Sequence, residues 1–189
     1  MATVRQLRWS RRDYYRLGEL GFFRGRRVEL IKGRILTIEP KTPRHSTGLM
    51  RVDEALRTVL GLDLLIRTQA PLDLGEDTEP EPDLLVVPGP RERYRHAHPT
   101  MAALIVEVSD TTTSYDRRHK GSLYARAGIV DYWLVNLKRR RVEVYRDPIP
   151  DSAATFGHRY SSRTDLLPGA TVSPMAVPQA SIAVADLLG

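Results

Sequence analysis

Two acidic residues beside apolar runs are the first candidates for chemistry in this sequence. Asp83 begins the short apolar run LLVV, and Glu107 interrupts the longer run AALIVEV. An ionised carboxylate in a buried strand is costly unless it is paired, hydrogen-bonded or bound to a metal ion. Adjacent strands would bring the two acids together, and Mg²⁺ typically takes one or two carboxylates and retains several waters. A simpler interpretation is that Asp83 caps a turn after Pro82 and that Glu107 pairs with an arginine.

Lysine is scarce in this chain, so each lysine is a notable choice of residue. Four lysines stand among the 29 lysine and arginine residues, and of the two types only lysine gives up its proton readily. Lys120 lies four residues after Asp116 and four before Tyr124, so a helix would carry all three on one face. The loop SDTTTSY is short enough to return this helix towards Glu107, which would let Lys120 approach the acids. The alternative is an exposed Asp116–Lys120 ion pair that contributes little to stability.

The periodicity of apolar residues predicts the elements that position these groups. Ser10 fits the N-cap of a short helix, and residues 32–33, Lys-Gly, fit a tight hairpin turn. A helical spacing follows in HSTGLMRVDEALRTVLGL, and strands are predicted in LLIRTQAPLDL, DLLVV and MAALIVEVS. Residues 115–127 predict a helix stopped by Gly128, with a hairpin of DYWLVNL and RVEVYRD after it and an irregular tail with short strands. The pattern indicates a mixed α/β fold with helices packed against a central sheet.

Composition narrows the class of protein and its partners. Residues 1–189 are expected to form a single domain, large enough to bury a core without disulfide staples. Cysteine is absent from the sequence, which favours a reducing compartment, and we expect a cytoplasmic protein without a membrane partner. The segment SRRDYY lacks the apolar stretch of a twin-arginine signal, and no run approaches the roughly 18 apolar residues that span a bilayer. The net charge of +6 favours a polyanionic partner.

An ordered set of motifs resembles a known family. The segments VELIKGRI, PRHS, PDLLVV, LIVEVSDTT, DRRHKGSLYARAGIVDYWLVN and VEVYRDP occur in this order. They resemble the Uma-type family of restriction-like endonucleases, within the PD-(D/E)XK nuclease superfamily. The resemblance implies an α/β restriction-endonuclease-like core, in which helices flank a central mixed β-sheet. A lone PD dipeptide would carry little weight, and it is the ordered set that is specific.

The same resemblance implies the residues of a catalytic site. It implies that Asp83, Glu107 and Glu29 bind Mg²⁺, or Mn²⁺ in its place, and that Lys120 completes the catalytic set. The lysine that the superfamily places two residues after Glu107 is Ser109 in this chain. The Uma-type pattern instead takes its lysine from the following helix, which matches Lys120.

The implied function is Mg²⁺-dependent hydrolysis of phosphodiester bonds in DNA by an endonuclease that acts as a homodimer. An alternative from another class is a catalytically silent DNA-binding or assembly protein on a nuclease scaffold. A carboxylate pair alone would also suit a glycoside hydrolase, but the lysine-bearing helix and the basic charge fit phosphoryl chemistry better. The sequence leaves open whether four further residues serve the site, namely His45, Gln69, Asp116 and Tyr124.

Overall fold

The chain folds around a mixed β-sheet. The computed structural model describes residues 6–189. In chain order its strands are β1 (Arg27–Ile31), β2 (Arg34–Ile38), β3 (Leu64–Thr68), β4 (Leu84–Pro88), β5 (Leu104–Ser109), β6 (Asp131–Asn136), β7 (Arg141–Pro150), β8 (His158–Leu166), β9 (Thr171–Val172) and β10 (Ile182–Ala183). Its helices are α1 (Arg11–Glu19), α2 (Pro43–Val59), a 3₁₀-helix (Arg91–Tyr94), α3 (Thr113–Tyr115), a π-helical segment (Asp116–Lys120), α4 (Gly121–Arg126) and α5 (Val184–Leu188).

The central sheet combines antiparallel and parallel pairing. Its strand order is β3-β4-β5-β6-β7-β8. Strands β5 and β6 are parallel, and their connection contains the helical segments between residues 113 and 126. The other neighbours pair antiparallel. The predicted mixed α/β sheet flanked by helices is confirmed. Among the described residues, no helix is both long enough and apolar enough to cross a membrane.

Apolar packing on both faces explains why the central strands read as continuous apolar runs. On one face, Leu56 of α2 and Leu187 of α5 belong to the same buried cluster as Val106 and Trp133. The other face is covered by a second cluster that includes Tyr124 of α4. Strands β4, β5 and β6 are therefore buried almost throughout, and a polar side chain on them needs a partner inside the protein.

The N-terminal elements follow the predicted signals. The Ser10 hydroxyl accepts a hydrogen bond from the backbone N–H of Asp13, which caps α1. The hairpin of β1 and β2 turns at Lys32 and Gly33, whose φ angles are 51° and 70°. Two positive φ angles match a type I′ turn, in which glycine fits the second position without a steric cost. The hairpin carries Glu29 on β1, and the side chain of Glu29 is buried.

The helix predicted over residues 115–127 is not regular. A π-helical segment separates α3 from α4, and the backbone N–H of Gly121 donates to the carbonyl of Asp116 five residues earlier. The predicted regular helix is therefore interrupted in this stretch, although Lys120 and Tyr124 still reach the same acid, Glu107. π-helical segments are rare overall, but those that occur are often found at functional sites. The extra residue in the turn changes the direction of the side chains that follow. The predicted stop is confirmed at Gly128, which has a φ angle of 74°.

The irregular tail predicted from the sequence is also wrong in part, since β8 spans nine residues and pairs along β7. This strand lies at the edge of the sheet, and Tyr160 is its one buried side chain. An edge strand pairs through its backbone and needs few apolar residues, so its sequence HRYSSRTDL lacks a clear apolar alternation. Strands β9 and β10 form a separate two-stranded sheet before α5, as the prediction of short strands in the tail indicated.

Candidate active site

Asp83 and Glu107 lie next to each other at the end of two paired strands. Asp83 directly precedes β4, and antiparallel pairing of Leu84 with Val106 on β5 sets the two acids side by side. The backbone N–H of Asp83 donates to Glu107 Oε2 at 3.4 Å, and the N–H of Val108 donates to Asp83 Oδ2 at 2.9 Å. Both side chains are buried, with exposed fractions of 2% and 3% for the residues. The two acids thus share one end of the sheet.

Lys120 reaches the acids from the π-helical segment. Its Nζ lies 2.9 Å from Glu107 Oε1 and 3.3 Å from Glu29 Oε1. Glu29 extends from β1 and also accepts a hydrogen bond from the backbone N–H of Glu81. The structure therefore brings together all four residues that the sequence indicated: Glu29, Asp83, Glu107 and Lys120.

Asp116 faces a different partner from the one that a surface ion pair would require. Its Oδ2 accepts a hydrogen bond from the Thr112 hydroxyl at 2.5 Å. Among the described residues, Asp116 and Lys120 form no ion pair, and both are buried. The alternative of an exposed Asp116–Lys120 pair is wrong, because the π-helical segment turns Lys120 towards β1 and β5.

Two basic groups that hold Asp83 were not among the predicted catalytic residues. Lys41 Nζ lies 2.6 Å from Asp83 Oδ1, and His45 Nε2 lies 2.9 Å from Asp83 Oδ2. Burial by itself raises the pKa of Asp83, but the His45 hydrogen bond and the Lys41 charge together bring that pKa well below its usual range. The scarcity of lysine is the only signal in the sequence that points to Lys41. In the segment PKTPRHS, Lys41 precedes α2 and His45 lies in its first turn.

Tyr124 and Gln69 differ in their relation to the site. The Tyr124 hydroxyl donates to Glu107 Oε1 at 2.7 Å, so this buried core aromatic also orients a candidate catalytic acid. Gln69 contributes its backbone, since its N–H donates to the carbonyl of Asp83 at 3.0 Å, and it does not line the cavity at the site.

Burial and neighbouring charges set the protonation of Glu107 and Lys120. Burial raises the pKa of Glu107 to about 8, against the lowering effects of the Lys120 ammonium and the Tyr124 hydroxyl. For Lys120, burial lowers the pKa, but the surrounding carboxylates, led by Glu107, raise it well above its ordinary value. Lys120 therefore stays protonated at neutral pH. Positive charge next to the buried Glu107, from Lys120 or from a bound cation, favours the ionised form of that carboxyl.

This pKa shift predicts a pH-dependent stability for the metal-free protein. A carboxyl with a pKa of 4.5 in the unfolded chain and about 8 in the folded protein binds more protons when folded. Its contribution to the free energy of unfolding is therefore present below pH 4.5 and is lost as pH rises towards 8. We expect urea unfolding from pH 5 to 8 to show a loss of stability that is smaller in Glu107→Gln, in which the buried Asp116, whose pKa is also raised by burial, still contributes. An identical pH profile of stability for the two proteins would contradict a raised pKa at Glu107.

The four residues open into a cavity of about 390 Å³. Residues 36–42, which comprise the end of β2 and its connection to α2, line it together with residues 110–112 and the start of the helical segments. Glu29, Asp83, Glu107 and Lys120 all belong to the lining. The cavity gives the buried acids a route to solvent that the surrounding core does not provide.

The donor set fits a hard divalent cation. Asp83 and Glu107 offer carboxylate oxygens, the ligands that Mg²⁺ and Mn²⁺ prefer. Each carboxylate already attracts a lysine ammonium, at 2.6 Å and 2.9 Å respectively, so a cation bound here would have to share or replace these contacts. Within residues 6–189, no group of three or more histidine, cysteine, aspartate or glutamate side chains that could hold a metal ion is present. Binding by two carboxylates with waters completing the shell is usual for Mg²⁺, and the role of Glu29 as a further ligand stays a prediction.

Comparison with known proteins identifies relatives of the chain. Residues 11–185 match the model of the Uma2 family, which is described as "putative restriction endonuclease". The crystal structure of a "putative nuclease" from Anabaena variabilis superposes with a TM-score of 0.66 at 17% identity, over 85% of this chain and 89% of the other. The type IIG restriction endonuclease BpuSI gives a TM-score of 0.36 at 19% identity, over 55% of this chain and 11% of the other. No curated protein sequence matches the chain.

Proposed function

Because the chain belongs to the Uma2 family of restriction-endonuclease-like proteins, we propose that it is an endonuclease that hydrolyses phosphodiester bonds in DNA with Mg²⁺ or Mn²⁺. One observation carries this proposal: Asp83, Glu107 and Lys120 converge in a single cavity although they come from three separate elements. Two carboxylates suit a divalent cation and a protonated amine suits a phosphoryl group, so the set fits metal-assisted phosphoryl chemistry. The glycoside hydrolase alternative does not account for the buried Lys120, which contacts Glu107 and Glu29.

In the proposed mechanism, Asp83 and Glu107 would hold the divalent cation. A divalent cation bound there would supply Lewis-acid activation of the phosphodiester. Asp83 is suited to this role because its lowered pKa keeps it ionised at neutral pH. Glu107 is held by the Tyr124 hydroxyl at 2.7 Å, which fixes one carboxylate oxygen and leaves the direction of the other defined by the backbone N–H of Asp83.

Lys120 acts as a cationic donor in this proposal. Its raised pKa keeps the ammonium protonated, which makes it a poor general base and a good electrostatic partner for an anion. We propose that it stabilises the charge that develops on the phosphoryl oxygens during attack. Glu29, at 3.3 Å from the Lys120 Nζ, orients the ammonium towards the cavity.

DNA is the proposed substrate, and a homodimer is the proposed form of the enzyme. The net charge of +6 favours a phosphate backbone as partner. A pair of subunits would place two sites on the two strands of a duplex, which is why the dimer belongs to this proposal. Sedimentation of the protein with and without a DNA duplex measures the oligomeric state directly.

Divalent-cation binding separates the enzyme from a silent DNA-binding scaffold. We expect Mg²⁺ or Mn²⁺ to raise the midpoint of thermal unfolding of the wild type and to have no such effect on Asp83→Asn. The matched control is Asp53→Asn, which removes a partly exposed carboxylate paired with Arg57 on α2, outside the cavity, and should keep the response. Plasmid, single-stranded DNA and RNA are then incubated with each protein and the cation. A wild type that binds DNA without responding to the cation or cleaving any substrate would favour the scaffold.

A further inference from the structure

The Lys41 ammonium pairs with Asp83, the acid to which the proposed function assigns the cation. It lies in residues 39–42, a short strap between β2 and α2 that lines the cavity. Its Nζ is 2.6 Å from Asp83 Oδ1 and 3.1 Å from His45 Nε2. The other oxygen of Asp83 accepts from the Val108 N–H and contacts His45. Both oxygens of this buried carboxylate are therefore already engaged by protein donors.

A divalent cation and the Lys41 ammonium compete for the same oxygen. Magnesium binds carboxylate oxygen at about 2.0–2.1 Å and needs a free lone pair directed at it. A second positive charge a few ångströms away is repelled, most strongly where burial lowers the effective dielectric constant. Cation binding to Asp83 Oδ1 thus requires the ammonium of Lys41 to move away from that atom.

The two basic partners of Asp83 differ in how easily they can leave. The Lys41 side chain is 27% exposed, whereas those of His45 and Asp83 are 8% and 3% exposed. A departing Lys41 ammonium can be hydrated at the mouth of the cavity, and its long flexible stem permits the movement. His45 is fixed in the first turn of α2, where its backbone N–H donates to the Thr42 hydroxyl. Lys41 is consequently the exchangeable partner.

We propose that Lys41 is an internal counter-ion that neutralises Asp83 in the metal-free protein and is displaced from it by a divalent cation. The inference rests on the proposed function in one respect, the assignment of Asp83 to the cation. Displacement also frees the strap, because the Lys41–Asp83 contact ties it to β4. The far end of the strap stays attached, since the Thr42 hydroxyl donates to Asp110 Oδ2 at 3.0 Å. Cation loading and access to the cavity are thereby coupled.

Calorimetric titration with Mn²⁺ alone, without DNA, tests the displacement. We expect Lys41→Met to bind Mn²⁺ about tenfold more tightly than the wild type, because the competing ammonium is gone. Lys32→Met is the matched control, since Lys32 is 28% exposed and pairs with Asp77 at 3.2 Å outside the cavity. It removes the same charge from the protein and should leave the affinity unchanged. Thermal unfolding of both variants verifies that they are folded.

Hydrogen exchange of the strap gives a second reading. Mn²⁺ should accelerate amide exchange at residues 39 and 41 in the wild type, and Lys41→Met should show the faster exchange before any cation is added. An Mn²⁺ affinity of Lys41→Met equal to or weaker than that of Lys32→Met would overturn the proposal, as would the absence of Mn²⁺ binding in all three proteins. Tighter binding by Lys41→Met in a protein that cleaves no nucleic acid would support the counter-ion and refute the nuclease instead.

Discussion

Replacing Lys120 with methionine is expected to reduce DNA cleavage by about 10²–10³-fold, the typical effect of removing one donor that stabilises transition-state charge. The ammonium is buried between Glu107 and Glu29. Methionine is about as long as lysine and can take the place of its apolar stem. A loss of activity in this variant therefore reports the missing charge and not lost packing. Single-turnover cleavage of a supercoiled plasmid, with saturating Mn²⁺, measures the rate of the chemical step.

The control for this prediction removes an equivalent charge elsewhere. Lys138 lies in the exposed turn between β6 and β7, and Lys138→Met should cleave at the wild-type rate. Because Lys120→Met also leaves buried carboxylates unpaired, its stability is measured first and the assay is run well below its unfolding midpoint. Wild-type cleavage by a folded Lys120→Met would remove Lys120 from the catalytic set.

Replacing Trp133 with alanine is expected to lower the free energy of unfolding by about 3–5 kcal/mol, as is usual when a large buried aromatic is truncated. Trp133 is fully buried on β6, within the cluster that joins the sheet to α2 and α5. Its indole N–H donates to Asp131 Oδ1 at 3.0 Å. Truncation leaves a cavity beside β5 and removes one partner of a buried carboxylate. For a chain of this size the unfolding midpoint should fall by roughly 6–20 °C.

Trp9 offers a matched comparison, since the two tryptophans are the only ones in the chain. Trp9 is partly exposed, and its backbone N–H bonds to the carbonyl of Gly33, a contact that alanine retains. Trp9→Ala should therefore cost clearly less than Trp133→Ala in urea unfolding followed by circular dichroism. Equal losses for the two variants would contradict the packing argument.

Much of the sheet was predictable because its signals are local. The central strands carry apolar runs, and helix α1 and the β1–β2 hairpin follow from Ser10 and from Lys32-Gly33. The π-helical segment was not predictable from these signals. Its sequence DRRHKGSLYAR also fits a regular helix, and the contacts that accompany the wider turn, those of Lys120 with Glu29 and Glu107, come from other elements. The edge strand β8 was missed because backbone pairing with β7, and not an apolar pattern, forms it.

The sequence by itself determined which residues could do chemistry. A carboxylate in an apolar strand, an aspartate at the start of another strand and a scarce lysine can be identified from residue type and position. Only the tertiary structure decided which charges neutralise them. Lys41 meets Asp83 across 42 residues of chain, and Lys120 meets Glu29 across 91. Partners so far apart leave no periodic trace in the sequence, because the packing of the β1–β2 hairpin, α2 and the π-helical segment around the sheet brings them together.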